Sequence, residues 1–147
     1  MKLITRNTDY AIRALANIAG RKNERVSALE LAKDSGIPRP FLRRILQRLG
    51  LKGFVRSYKG IGGGFTLAKT PSYIYISDVI KAFQGPLRLN ECLFKKSLCP
   101  NRGSCLLKKR IDKIERHVVD EVGKITLASI INPSAHNHHK TRGICSG

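Results

Sequence analysis

The chain has no tryptophan, one methionine and only 10 acidic residues among 147. Each shortage excludes something. The acids are scattered, so no carboxylate constellation for metal-assisted hydrolysis is evident, and no Ser/His/Asp arrangement suggests nucleophilic catalysis; an enzyme is not expected. Aromatic residues make up 6% of the chain, few for stacking single-stranded RNA bases. No apolar run approaches the ~18–20 residues that would span a bilayer, and the N-terminus lacks a signal-peptide core. These absences point to a cytoplasmic protein with no membrane partner.

What is abundant is positive charge: 28 Lys and Arg, a formal charge of +18 and a pI near 10.4. Such an excess favours a polyanionic partner, because each phosphate neutralised releases condensed counterions. The charge is uneven, with 15 Lys and Arg against four acids in residues 1–70 and 13 against six beyond. A hydrophobic fraction of 41% is enough for a folded core.

Tyr10, Ala11, Ala14, Leu15, Ile18 and Ala19 recur at helical spacing. Ser27-Ala28-Leu29-Glu30 is a capping-box pattern that starts a short helix carrying Leu29, Leu31 and Ala32. The turn Gly36-Ile37-Pro38 separates it from a helix over residues 39–49, making a helix-turn-helix. Phe54–Tyr58 and Phe65–Ala68 read as strands joined by the loop Lys59-Gly60-Ile61-Gly62-Gly63-Gly64. Helix, turn, helix and hairpin is the order of a winged helix. The expected fold is therefore mainly α with a small β-hairpin wing, followed by a long C-terminal dimerisation helix.

After a break at Pro71, Ser77 is expected to cap a helix through Phe83, closed by Gly85-Pro86. Leu107, Ile111, Ile114, Val118, Val122, Ile125 and Ser129 then form a seam with steps of three and four. The pattern predicts one continuous helix over 104–131, about 40 Å long at ~1.5 Å per residue, that pairs two copies of the chain. The expected organisation is a DNA-binding domain over 1–70, a connecting helix and cysteine-rich loop over 71–103, the dimerisation helix over 104–131 and a disordered tail over 132–147.

On the third helix, Phe41, Leu42, Ile45, Leu46 and Leu49 share one arc, while Arg39, Pro40, Arg43, Arg44 and Gln47 take the opposite arc with Arg48 at its edge. No acid occurs from Arg39 to Lys52. Arginine can fork onto guanine and glutamine onto adenine, so this face suits the major groove of double-stranded promoter DNA. In the wing, Arg56 and Lys59 are candidates for an adjacent minor groove or phosphates, and Gly62 for close backbone approach.

Four cysteines are present, three of them clustered as Cys92-x6-Cys99-x5-Cys105. In a reducing compartment this is a metal or redox pattern rather than a disulfide framework. Paired zinc knuckles use C-x2–4-C steps, which are absent here; the longer gaps tilt toward an iron–sulfur cluster. A metal-free thiol sensor is the alternative. Asp9 also reads as a helix N-terminal acid. The tail residues His136, His138, His139 and Cys145 read as polar tail.

The opening Leu3-Ile4-Thr5-Arg6-Asn7-Thr8-Asp9-Tyr10-Ala11, the helix-turn-helix, the wing through Gly64-Phe65-Thr66-Leu67 and the three-cysteine loop together resemble the winged-helix iron–sulfur transcriptional regulators typified by IscR and NsrR. The resemblance covers residues 1 to about 131. It implies a homodimer with a cluster held by Cys92, Cys99 and Cys105. One branch places a histidine three residues after the third cysteine, where this chain has Lys108. The nitric-oxide-sensing branch uses an aspartate of the first helix, donated by the other subunit, and Asp9 falls there. The resemblance thus implies a 4Fe–4S cluster in preference to 2Fe–2S, switching promoter binding in response to nitric oxide, redox or iron status. The first cysteine gap is one residue longer than in the best-known members.

Overall fold

Thr5 begins the first helix, its hydroxyl accepting from the Thr8 backbone N–H in the computed structural model, which describes residues 3–22, 24–89 and 104–132. The helix, α1 (Arg6–Gly20), buries Ala11, Ala14, Leu15 and Ile18 along one stripe. Ser27 and Glu30 form the reciprocal cap that the sequence predicts, with Glu30 N–H to Ser27 Oγ at 3.2 Å and Ser27 N–H to Glu30 Oε2 at 2.9 Å. The short α2 (Ala28–Ser35) that follows ends at Gly36, whose φ of 64° is a left-handed geometry that glycine adopts without penalty. Leu31 is the one buried side chain of α2, and Leu29 is exposed.

The next helix, α3 (Arg39–Leu51), carries Pro40 in its first turn, where an N–H has no helical partner to lose. It buries Leu42, Ile45, Leu46 and Leu49. Phe41, expected in the same arc, lies at its margin and is half exposed. β1 (Val55–Tyr58) and β2 (Gly64–Leu67) pair antiparallel from Val55↔Leu67 to Tyr58↔Gly64. A third segment joins them: Val26 and Phe65 exchange backbone hydrogen bonds of 3.0 and 2.8 Å, tying the chain before α2 to the wing.

After a 3-10 turn at Pro71–Tyr73 comes α4 (Ile76–Gln84). Its N-cap is Tyr75, not the expected Ser77, and no side chain caps it. The Ile76 N–H instead donates to Ile125 O at 2.9 Å, and Leu127 N–H to Ile74 O at 2.8 Å. That exchange corrects a second expectation. The predicted single helix is two, α5 (Leu106–Gly123) and α6 (Leu127–Ile131), because the chain opens at Lys124–Thr126 to pair with Ile74–Ile76. Thr126 and Ser129 form a new cap that restarts the helix. The 18 residues of α5 span about 27 Å at ~1.5 Å each, rather than 40 Å.

Leu127 is fully buried in one core with Leu15, Leu46, Leu49, Ile74 and Val79, so α6 packs against α1 within the winged-helix module. By contrast α5 buries none of its residues; Leu106, Leu107, Ile114 and Val119 are exposed.

Candidate nucleic-acid interface and cluster-ligand residues

Arg39, Pro40, Arg43, Arg44 and Gln47 line one open groove together with Ala28 of α2 and Ser57 and Phe65 of the wing. The buried leucine arc fixes which way they point, since these residues occupy the remaining arc of the same helix. The ion pairs among the described residues (Asp9–Arg13, Arg21–Asp34, Lys108–Asp112 and Lys124–Glu121) leave the α3 arginines out. No Asp or Glu occurs between Ser35 and Ser77. The groove therefore presents an uncompensated row of guanidinium groups beside one glutamine, a surface matched to phosphates and base edges.

Other expected contacts fall elsewhere. Arg48 stacks its guanidinium 5.3 Å above the Phe83 ring of α4, turning away from the groove. Ser57 lines the groove, so strand alternation puts Arg56 and Tyr58 on the opposite face of the wing. Lys59 is exposed beside the wing tip. Gly62, at φ 73°, offers its carbonyl to Arg25 Nη1 at 3.4 Å, while the Arg25 guanidinium lies 4.1 Å above the Tyr58 ring. Arg25 was not among the residues singled out from sequence, because its partners are 33 and 37 residues away.

Of the candidate cluster ligands, Cys92 and Cys99 lie outside the described residues, as do His136, His138, His139 and Cys145. Cys105 is the N-cap of α5, half-buried, its Sγ accepting from the Lys108 backbone N–H at 3.4 Å. The N–H groups of a first helical turn favour a negatively charged atom, so this position suits Cys105 as a thiolate, a soft ligand. Asp9 sits in the first turn of α1, half-exposed, with its carboxylate 2.9 Å from Arg13 Nε. No group of three His, Cys, Asp or Glu side chains converges among the described residues.

A model of the Rrf2 family, described as an iron-dependent transcriptional regulator, matches residues 4–133. The chain belongs to the Rrf2 family. It is 33% identical over 138 residues to the HTH-type transcriptional regulator NsrR of Bacillus licheniformis, covering 92% of this chain and 96% of that one. The fold agrees with T. potens IscR (TM-score 0.70, 24% identity, 97% of this chain and 94% of that one). It agrees as well with CymR, the global cysteine regulator of B. subtilis (TM-score 0.69, 23% identity, 89% and 97%). The chain is thus a winged-helix transcriptional regulator rather than an enzyme. Among the described residues no helix is long and apolar enough to cross a membrane.

Within this Rrf2 chain one further residue ties α1 to α4. Gln84, the last residue of α4, accepts from the Thr5 N–H at 2.9 Å and the Thr8 hydroxyl at 2.8 Å, and its Nε2 donates to Leu3 O at 3.0 Å. The turn that carries Asp9 is thereby clamped to the end of α4. Beyond it, the Leu89 N–H donates to Glu115 Oε2 of α5 at 2.9 Å. Lys108 pairs its ammonium with Asp112.

Proposed function

We propose that this chain is a homodimeric regulator whose affinity for promoter DNA is set by an iron–sulfur cluster, with Cys92, Cys99 and Cys105 of one subunit and Asp9 of the other as ligands. The resemblance to the nitric-oxide-sensing branch favours 4Fe–4S over 2Fe–2S, with Lys108 standing where the histidine-bearing branch has its ligand. The bound cluster would supply a reactive centre for nitric oxide, oxygen or iron loss.

One observation carries the proposal. Phe83 and Gln84 are adjacent in α4; Phe83 holds Arg48 of the recognition helix, and Gln84 holds the turn bearing Asp9. A change at the Asp9 turn thus has a short, packed route to α3. Loss of a ligand bond at Asp9 would release the α1 turn and alter how the two recognition helices meet half-sites one DNA turn apart. The pairing surface in this reading is α5, where Leu106, Leu107, Ile114 and Val119 are exposed among the described residues. In this reading, Arg39, Arg43, Arg44 and Gln47 read bases or hold phosphates, Pro40 packs near the backbone, and Lys59 holds phosphates with help from Arg56 and Gly62. Residues 1–70 serve as the DNA-binding unit, 71–103 as connector and cluster loop, and α5 as the dimer element, in a cytoplasmic protein.

The second reading is a metal-free regulator acting through thiol chemistry. It is favoured by the likeness to a cysteine regulator and by the partial exposure of Cys105. Anaerobic purification, followed by visible absorption and iron and sulfide analysis, separates the two. A brown protein with about four irons per chain supports the first reading. About two irons keeps the sensor but changes the cluster and its ligation. A colourless protein that resists reconstitution supports the second.

A further inference from the structure

The tip of the wing is built to display one side chain. Between Lys59 and Phe65 every residue is glycine except Ile61. Gly60 and Gly62 hold φ values of 87° and 73°, and the Gly63 N–H closes the turn onto Gly60 O at 3.0 Å. A Cβ on Gly63 would stand 2.4 Å from Tyr58 O, and one on Gly64 would stand 2.7 Å from Val26 O. These glycines therefore permit close backbone packing rather than slack. Arg25 braces the tip from the side through the Tyr58 ring and Gly62 O.

Ile61 projects from this braced loop as the most exposed large hydrophobic among the described residues, at 109% of its reference area. An isolated surface isoleucine ordinarily needs no explanation. Here, however, Ile61 is the one side chain of an otherwise all-glycine tip, and the wing strands help line the groove of the recognition helix. Arg25 stands against the tip and Lys59 begins it, and no acid occurs between Ser35 and Ser77, so the apolar point is flanked by positive charge.

We propose that Ile61 is an apolar probe of the DNA minor groove beside the half-site read by α3, and that Arg25 is the positioning residue that aims it. This rests on the assignment of α3 to the major groove. The minor groove is about 6 Å wide, enough for a hairpin tip but not a helix. Its walls are sugar atoms that an isoleucine can contact, while the flanking cations meet phosphates on both strands. In a G·C pair the guanine N2 amino group projects from the groove floor. It takes the space the side chain needs and offers a donor that isoleucine cannot accept. Ile61 thereby favours A·T pairs at positions that no α3 side chain touches.

The test uses the full-length protein and duplexes carrying its selected operator. Each flanking pair is made in turn A·T, G·C or inosine·C, because inosine lacks the N2 amino group but keeps the major-groove face of guanine. Wild type binds the A·T and inosine·C duplexes about fivefold or more tightly than the G·C duplex at one flanking position, the discrimination expected of one read base pair. Ile61→Ala and Ile61→Ser lose that preference with an unchanged slope of log Kd against log salt. Lys59→Ala keeps the preference and lowers the slope by about one. Arg25→Ala blunts the preference, and Arg25→Lys does not restore it, because the planar stack on Tyr58 is lost. A wild type that binds the operator without distinguishing inosine from guanine at any flank overturns the proposal while leaving α3 in place. So does an Ile61→Ala protein that retains the distinction. Failure of wild type to bind any duplex would instead overturn the underlying assignment and the probe with it.

Discussion

Replacing Gln84 by alanine removes one acceptor and one donor from a node joining residues 76 to 81 positions apart. The Thr5 N–H and the Thr8 hydroxyl lose Oε1, and Leu3 O loses Nε2. The last bond is exposed, so water replaces it. Thr8 is fully buried, but its hydroxyl keeps Thr5 Oγ1 at 3.0 Å. Two neutral hydrogen bonds are therefore lost outright, at about 0.5–1.5 kcal/mol each. The expected destabilisation is about 1–3 kcal/mol, which with a urea slope of about 1–3 kcal/mol/M moves the midpoint down by roughly 1 M. Protomer concentration must be matched, because dimerisation adds to apparent stability. Thr8→Val with Gln84→Met removes both partners of the Thr8–Gln84 bond while keeping bulk, so its loss is smaller than the sum of the two single variants. Equal midpoints for wild type and Gln84→Ala would refute the reasoning. So would a double variant whose loss equals the sum of the two singles, because the node would then carry no coupling.

Further outcomes follow from the same geometry. Arg43→Ala weakens operator binding by about 1–3 kcal/mol and relaxes preference at one base pair, measured by anisotropy against single-pair variants. Arg48→Ala, losing its stack on Phe83, costs about 0.5–1 kcal/mol of folding stability and leaves base preference intact. The Ser27 hydroxyl and backbone N–H hold the Glu30 carboxyl below its ordinary range. Its contribution is therefore complete above the unfolded value, roughly 4.3, and is lost as pH falls through the lower folded value. The difference in thermal midpoint between wild type and Glu30→Gln should accordingly shrink on acidification from neutral pH to below 4 or so; a gap independent of pH would show that the carboxylate charge is irrelevant to the cap.

Local signals were legible. The Ser27–Glu30 cap, the left-handed Gly36 and the leucine arc of α3 each involve residues within a few positions, and each stands where the sequence puts it. The wing glycines announce a hairpin in the same way. Long-range pairing was not legible. The apolar seam continues in phase through Val122, Ile125 and Ser129, so nothing local announces that Ile125 O is taken by the Ile76 N–H and the helix must open there. Ser77 looks like a cap because its type is right, yet the backbone of a distant segment takes that role. Leu29 and Phe41 sit at the margins of apolar arcs, where periodicity cannot decide between core and surface. At the site, the arginine face of α3 could be read from one helix alone. Arg25 and Gln84 could not, because each matters only through partners brought close by folding.

The most direct measurement is the affinity of one preparation for its selected operator, with and without its cluster, at fixed salt. Binding isotherms are recorded on the anaerobically purified protein, then after cluster removal, then after reconstitution. The account predicts at least a fivefold change in Kd, the smallest step typical of a coupled site, reversed on reconstitution and abolished in Asp9→Ala. Identical isotherms for the cluster-loaded and cluster-free protein, both folded and dimeric, would contradict it.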